Sequence, residues 1–367
     1  MRHLFFAIWL VTGFWGVSVW AFPEMVRYGY TQCTACHVSP SGGGILTAYG
    51  RQLSAEILST WYSENEAEFT HSKFGKDLAD NGILVGGDVR EINIYYKDPN
   101  QENSKEFLMM ANLQGAYQTG NFTGVMSVGQ ITDPMDKGGL HGNFNSTEYY
   151  GMVKFSDELG VRAGRFTPAY GLNLPDHTTA IKEMLNGLVP EFQFDTVEAS
   201  YLSEHWTVLA SAGNTLAGTD PNVQENVGSL NVSYAVASGM RLGASYWAGS
   251  GPNIDRRIYG LNGILGFTKR IYSLFEVDVE NWNQPTPQTG LYGLGQIACE
   301  LFKGFTPYLQ YQHENDNRAD GTTLTKTYGG GFHLYPRPHF EFSAEFDRVH
   351  AFNLWSDQGY LLAHYYF

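Results

Sequence analysis

From Ile83 to Phe367, apolar and polar residues alternate with period two in about 16 segments of roughly ten residues, each long enough to cross a bilayer as a tilted strand. Their spans are 83–97, 105–119, 121–131, 147–156, 159–167, 191–202, 205–213, 227–236, 240–249, 257–268, 271–282, 289–301, 305–315, 325–335, 339–349 and 358–367. Successive side chains of a strand point to opposite faces, so each segment carries one apolar and one polar face. In 271–282, Ile271, Phe275, Val277 and Val279 share one face, and Tyr272, Glu276, Asp278 and Glu280 the other. In 339–349, Phe340, Phe342, Ala344 and Phe346 oppose Glu341, Glu345 and Asp347. Charge is costly against lipid, so the carboxylates are expected to point inward and make the lumen acidic along at least one wall, either as simple solvation of a water-filled pore or as a cation path.

The connections alternate in length. Asp157-Glu158, Ser203-Glu204, Ala237 to Gly239, Lys269-Arg270, Lys303-Gly304 and Pro336 to Pro338 are tight. Thr132 to Asn145, Pro168 to Pro190 and Asp316 to Leu324 are long. Bacterial outer-membrane barrels combine short periplasmic turns with longer outside loops. A soluble β-sandwich would share the hairpins but not the lopsided loop lengths. The last segment, with Gly359, Leu361, Ala363, Tyr365 and Phe367 on one face, resembles the C-terminal signature that such barrels present to their assembly machinery. The expected fold is therefore all-β: an antiparallel transmembrane barrel of about 16 strands.

The chain before Ile83 differs. Arg2 and His3 precede an apolar run from Leu4 to Val19, and Val19-Trp20-Ala21 suits signal peptidase, so residues 1–21 read as an export signal. An uncleaved anchor helix is the alternative, but the run is short for a span. Residues 22–82 form a small head and link ahead of the barrel at 83–367. Within the head, Leu53, Ile57, Leu58 and Trp61 recur at helical spacing and predict a helix over Thr47 to Tyr62. Ser63 to Asn81 reads as a polar link.

Composition sharpens this picture. Charged residues are only 16% and aromatic residues 15%, with 42 glycines; soluble domains carry about 25% charged residues. The net charge of −14 leaves no basic patch for nucleic acid. Three cysteines make no disulfide framework.

Cys33-Thr34-Ala35-Cys36-His37 is the C-x-x-C-H signature of c-type haem attachment. Two thiols at that spacing add to the two vinyl groups of one porphyrin, and the adjacent histidine reaches the iron. A zinc site would need more ligands, and a redox-active disulfide would expect a thioredoxin-like context. The candidate site is therefore Cys33 and Cys36 for one covalent haem c, with His37 as axial ligand. Met25 or His71 is the candidate distal ligand in the head; Met109, Met110 and His141 would need the head to dock on the barrel. Ser41-Gly42-Gly43-Gly44 lets the backbone turn tightly beside the motif.

Ala21 to Arg51, with its C-x-x-C-H, glycine-rich turn and Tyr49-Gly50-Arg51, resembles the haem head of the fused monohaem cytochrome c–porins of iron-oxidising bacteria, although the Ser41 to Gly44 turn departs from that pattern. The resemblance implies a short haem segment on a 16-strand barrel. It also implies electron transfer across the outer membrane of a Gram-negative bacterium. The expected partners are outer-membrane lipid, a periplasmic cytochrome c and a small extracellular redox species, with Fe(II) favoured. A passive porin with a structural or sensory haem, and a haem enzyme with an open sixth position, are the competing readings. Gly164-Arg165-Phe166-Thr167-Pro168-Ala169-Tyr170-Gly171, running on to His177, resembles the strand-end loop of porins, which either folds into the pore or stays outside.

Overall fold

The computed structural model describes residues 23–63, 78–131, 144–145, 148–174, 179–182, 194–215, 224–283, 287–320 and 323–367. The expected export signal, His71, His141 and His177 lie outside the described residues. No described helix is long and apolar enough to cross a membrane.

The strands are β1 (Ile83–Lys97), β2 (Glu102–Thr119), β3 (Phe122–Ile131), β4 (Phe144–Asn145), β5 (Tyr149–Lys154), β6 (Leu159–Phe166), β7 (Phe194–Leu202), β8 (Trp206–Thr215) and β9 (Asn226–Ala237). They continue as β10 (Met240–Ser250), β11 (Asp255–Gly266), β12 (Ile271–Trp282), β13 (Gln288–Cys299), β14 (Phe305–Asn315), β15 (Leu324–Leu334), β16 (Phe340–Ala351) and β17 (Leu354–Tyr366). β4 and β5 both pair with β3, Asn145 opposite Gly129 and Tyr150 opposite Val125, so they are two pieces of one barrel strand. The barrel thus has 16 strands. β17 pairs antiparallel with β1, Tyr366 opposite Asp88, and closes the sheet. Closure removes the unpaired edges that hydrocarbon would not tolerate.

Alternation along the strands holds in three dimensions. On β12, Ile271 and Val277 are exposed on the outer wall, while Tyr272, Leu274, Glu276, Asp278 and Glu280 are buried inside. On β16, Phe340, Phe342 and Phe346 face out. Among the described residues the register shifts at two places, between β9 and β10 at Met240/Arg241 and between β1 and β2, where Arg90 pairs with Met110 and Glu91 with Leu108, which leaves Met109 as the extra residue. Both Met109 and Met110 consequently line the lumen.

The head docks on the barrel's short-turn end. Pro23–Tyr28 and Cys33–Ala35 are 3₁₀ turns, and Ala48–Leu53 is a short α-helix (α1) continued by a π turn over Ser54–Leu58. The helix expected over Thr47 to Tyr62 therefore stops four residues early. Ser59 is extended, and Thr60 and Trp61 donate their N–H groups to Tyr335 O and Pro336 O of a tight barrel turn. Those barrel carbonyls outcompete another helical turn, and Trp61, expected on the apolar helix face, is 60% exposed.

Charged and apolar contacts fix the head. Arg27 forms an ion pair with Glu300 at 3.1 Å, and the Tyr28 hydroxyl donates to the same carboxylate at 2.6 Å. Ser54 Oγ and Tyr366 Oη are 2.6 Å apart, and Arg51 donates to Val85 O. Val38 and Ile45 join a core with Leu84, Ala116, Val125, Tyr150, Met152 and Phe166 of the barrel. Val26 packs with Ile264, Tyr272, Leu274 and Tyr308. Each such aliphatic anchor contributes about 1.5–3 kcal/mol at most, so the three together hold the head against the wall.

Candidate functional site

Gln32 is extended and the chain then closes a 3₁₀ turn. Cys36 N and His37 N both donate to Cys33 O, at 3.1 and 2.9 Å, which folds the C-x-x-C-H residues into one compact turn. Val38 N donates to Ile45 O, and His37 bridges Leu46, so Ser39 to Gly44 form the tip of a hairpin. Gly42, Gly43 and Gly44 carry φ values of 81°, 73° and 61° in succession, a path that side chains with a Cβ resist. Thr47 N donates to Cys36 O at 2.8 Å, while its hydroxyl caps α1 by accepting from Gly50 N at 3.0 Å. A Cβ on Gly50 would sit 2.3 Å from Cys36 O. The Tyr49-Gly50-Arg51 run and the C-x-x-C-H turn are therefore one packed unit. Tyr49 Oη meets Tyr30 Oη at 2.7 Å, and Arg51 reaches β1.

A cavity of about 940 Å³ opens from this unit into the barrel. Cys33, His37 and the Ser39 to Gly44 tip line one end, and Tyr95, Tyr96, Asn103 and Lys105, at the other end of the β1–β2 hairpin, line the far end. Cys36 does not face it. Cys36 is buried in the head's own core with Met25, Tyr30, Leu53 and Leu58, where burial pushes its thiol up to about 12. Met25 is fully buried there and does not line the cavity. His37 faces the cavity, yet desolvation pulls its pKa down to about 4 against backbone hydrogen bonds with Gly43 and Gly44. No disulfide joins any two of Cys33, Cys36 and Cys299. Among the described residues, no group of three or more His, Cys, Asp or Glu side chains is arranged to hold a metal ion.

A porphyrin brings four ligands of its own and asks the protein for thiols and an axial nitrogen; Cys33 and His37 stand on the cavity, whereas Cys36 would have to turn out of the head's core to meet a porphyrin there. Cys33 lies beside a tip that a side chain would crowd: a Cβ on Gly42 would stand 3.2 Å from Cys33 Sγ.

The described parts of the long connection after β6, residues 167–174 and 179–182, fold into the lumen, the first of the two alternatives for the porin-like loop. Gly171 N donates to Ser245 Oγ and Leu172 N to Glu276 Oε2, at 3.0 and 2.5 Å. Tyr170 Oη donates to Asp278 Oδ1, and Ala180 N to Gln312 Oε1, both at 2.8 Å. Desolvation lowers the pKa of Lys182, and the carboxylates of Glu276 and Asp278 work against that loss.

This loop changes the expected electrostatics. Glu276, Asp278 and Glu280 do point inward, but they are capped by the loop and by Arg256, which also binds Glu225. The cavity itself is lined by Asp88, Glu148, Glu341, Glu345 and Asp347 and by Arg90, Lys105, Arg162, Lys182 and Arg241. Among the described residues, cations from the loop and from other strands stand beside these carboxylates, and Glu341, Glu345 and Asp347 form an acidic run along the β16 wall.

Sequence reasoning missed two groups. Arg162, fully buried on β6, pairs with Glu198 at 2.8 Å and donates to Ser39 Oγ and Ser41 Oγ at 2.9 and 3.1 Å. It ties the hairpin tip to the wall. His333 and His364 each donate through Nδ1 to Glu341, at 3.0 Å, on the cavity wall. Period-two alternation gave the signal for His364, since Ala363 and Tyr365 face out.

No protein-family model matches this sequence, and no curated protein matches it. Solved structures do match in fold. Pseudomonas putida OprB superposes with a TM-score of 0.62 at 8% identity, over 85% of this chain and 99% of that one. The loop L8 deletion mutant of OmpT, an outer membrane protein of Vibrio cholerae, gives 0.61 at 11% identity, over 78% and 99%. An anion-selective porin from Comamonas acidovorans gives 0.57 at 9% identity, over 78% and 99%. The closed 16-strand barrel with an inward loop has the fold of outer-membrane porins.

Proposed function

We propose that this chain is a porin-type barrel of a Gram-negative outer membrane that carries one haem c on Cys33 and Cys36, with His37 on the iron, at its periplasmic end. The barrel part rests on the likeness to porins and channels of that membrane. The haem part rests on the C-x-x-C-H turn and on the chemistry of its donors. Short turns mark the periplasmic side of such barrels, and the head sits among them.

The observation that carries the function is continuity: Cys33 and His37 line the same cavity as Tyr95 and Asn103 near the opposite rim. A small solute entering from outside can reach the motif without crossing lipid. Bound there, a haem supplies one-electron chemistry. The finer reading is exchange of electrons between a small extracellular species, Fe(II) first, and a periplasmic cytochrome c. In that reading the residues have separate tasks. Arg27, Arg51 and Arg162 fix the head, the glycine tip admits the porphyrin edge, and the head closes the periplasmic mouth to bulk flow.

The porin neighbours favour a plainer reading, a passive pore whose haem is structural or sensory. One purified sample separates the two. Haem that survives denaturing electrophoresis and acid acetone establishes attachment, and its loss would remove the haem from both readings. Reduction of the ferric protein by Fe(II), abolished in Cys36→Ala or His37→Ala, supports the conduit. Solute conductance typical of an open porin, with no redox exchange, supports the passive pore.

A further inference from the structure

We infer that the end of the head docks on the periplasmic leaflet of the membrane: Trp61 and Tyr62 enter the headgroup layer, and Lys303 and Arg337 beside them hold the phosphate of an acidic phospholipid. The inference rests on the outer-membrane barrel reading above and is independent of the haem.

Two tight turns of the barrel carry the site. Lys303-Gly304 lies between β13 and β14, and Pro336 to Pro338 between β15 and β16. Tyr335 N donates to Gly304 O at 2.8 Å, so the two turns are neighbours on the rim. The head runs over both. Thr60 Oγ1 donates to Lys303 O at 2.9 Å, Thr60 N to Tyr335 O at 2.8 Å and Trp61 N to Pro336 O at 3.1 Å. A Cβ on Gly304, whose φ is 83°, would stand 2.5 Å from Leu58 O, so glycine lets the two backbones come this close. The Trp61 ring lies 5.9 Å from the Arg337 guanidinium carbon, and the Tyr62 ring 5.7 Å from Lys303 Nζ. Two rings from the head and two cations from the barrel therefore meet on one stretch of rim.

The neighbouring outer wall points to the partner. Leu301 and Phe302, next to Lys303 in the chain, are exposed. Phe302 stacks on Phe305 at 5.0 Å, and Phe305 meets Phe332 at 5.5 Å. Lipid tails cover such an apolar band in a transmembrane barrel, and aromatic girdles mark where headgroups begin. Here the head completes the girdle. An indole with an apolar body and a polar edge suits that layer, and so does a lysine or arginine that reaches outward from an apolar wall. Charge complementarity selects the headgroup. Arginine meets a phosphate with two parallel donors, and an acidic phospholipid brings its phosphate without a compensating ammonium.

The test uses purified full-length protein. Titrated in detergent and read by native mass spectrometry, the wild type is expected to bind a first phosphatidylglycerol more tightly than phosphatidylcholine. The double variant Lys303→Gln, Arg337→Gln is expected to lose that preference, with affinity for phosphatidylglycerol falling roughly fivefold for each charge removed. In vesicles, the emission of Trp61, taken as the difference between wild type and Trp61→Phe, is expected to be quenched by lipids brominated near the headgroup and shielded from aqueous iodide. Unchanged phosphatidylglycerol affinity in the double variant overturns the assignment; Glu64 and Glu66, which follow in the sequence outside the described residues, would then be the partners to test for the two cations. Displacement of the lipid by inorganic phosphate overturns it too, in favour of a free-anion site. So does a Trp61 quenched by iodide and untouched by brominated lipid, which gives the surface to the periplasm. Each of these results leaves the barrel reading intact, whereas a chain that fails to insert into vesicles overturns that reading and this inference with it. Should the double variant fail to fold, the Trp61 quenching decides.

Discussion

The Asn173 side-chain amide donates to the backbone carbonyl of Ser41 at 2.8 Å, so the inward loop of the barrel and the glycine tip of the head touch inside the lumen. The two segments come from different parts of the chain and narrow the pore together. Head removal tests this. Deleting residues 23–63 is expected to raise single-channel conductance in planar bilayers several-fold, because the head leaves the short-turn mouth. Asn173→Ala loses one hydrogen bond, about 1 kcal/mol, and should give a smaller rise. Equal conductance in the deletion and the full chain would show that the head does not plug the pore.

Arg162 is a second link between wall and head, and its removal should cost more. Arg162→Met leaves Glu198 as a buried charge without its cation and frees Ser39 and Ser41. Losing one partner of a buried pair costs about 3–5 kcal/mol. The expected result is a lower thermal midpoint and faster proteolysis of the head. Arg162→Lys should not rescue fully, since a lysine cannot serve the carboxylate and two hydroxyls as a fork does. A wild-type melting profile for Arg162→Met would contradict this.

Gly50 sets how closely α1 approaches the C-x-x-C-H turn. A methyl group there meets Cys36 O at 2.3 Å, a backbone contact that cannot rotate away. Gly50→Ala should therefore displace the turn and lower the fraction of purified protein that stains for covalent haem, while the barrel still folds. Gly228, whose Cβ position is open, is the control: Gly228→Ala should leave haem content unchanged.

The two motif thiols should differ before any haem is attached. Cys33 borders the cavity, whereas Cys36 is 1% exposed and burial pushes it up to about 12. In protein made without haem ligation, alkylation at pH 8 should modify Cys33 first, read by peptide mass spectrometry. The thiolate is the reactive form, so Cys36 should catch up only when the head unfolds. Equal rates in the folded protein would place both thiols on the cavity.

The barrel was legible because two-residue periodicity and turn chemistry act locally. Ile271 to Trp282 and Phe305 to Asn315 begin and end as strands where alternation begins and ends. The outward Phe340, Phe342 and Phe346 followed from the cost of placing Glu341 and Glu345 against lipid. The helix in the head was read too long because its end is set by a partner. Residues Thr60 and Trp61 pair with a barrel turn more than 270 residues away in the chain. The cover over Glu276 and Asp278 was not legible for the same kind of reason: both point where alternation sends them, but a loop from another part of the chain caps them.

The sequence by itself determined the strand count, the lipid-facing side of the strands at 271–282 and 339–349, the short and long ends of the barrel, and the haem-type thiol spacing. These depend on residues within a strand or a turn of one another. Only the tertiary structure decided what fills the barrel. The meeting of Asn173 with Ser41, of Arg162 with the glycine tip, and of His364 with Glu341 inside the cavity of Cys33 and His37 depends on the closure of β1 on β17. No local pattern encodes that closure's contacts, because a strand's alternation says which side chains turn inward but not which of them face each other across the pore.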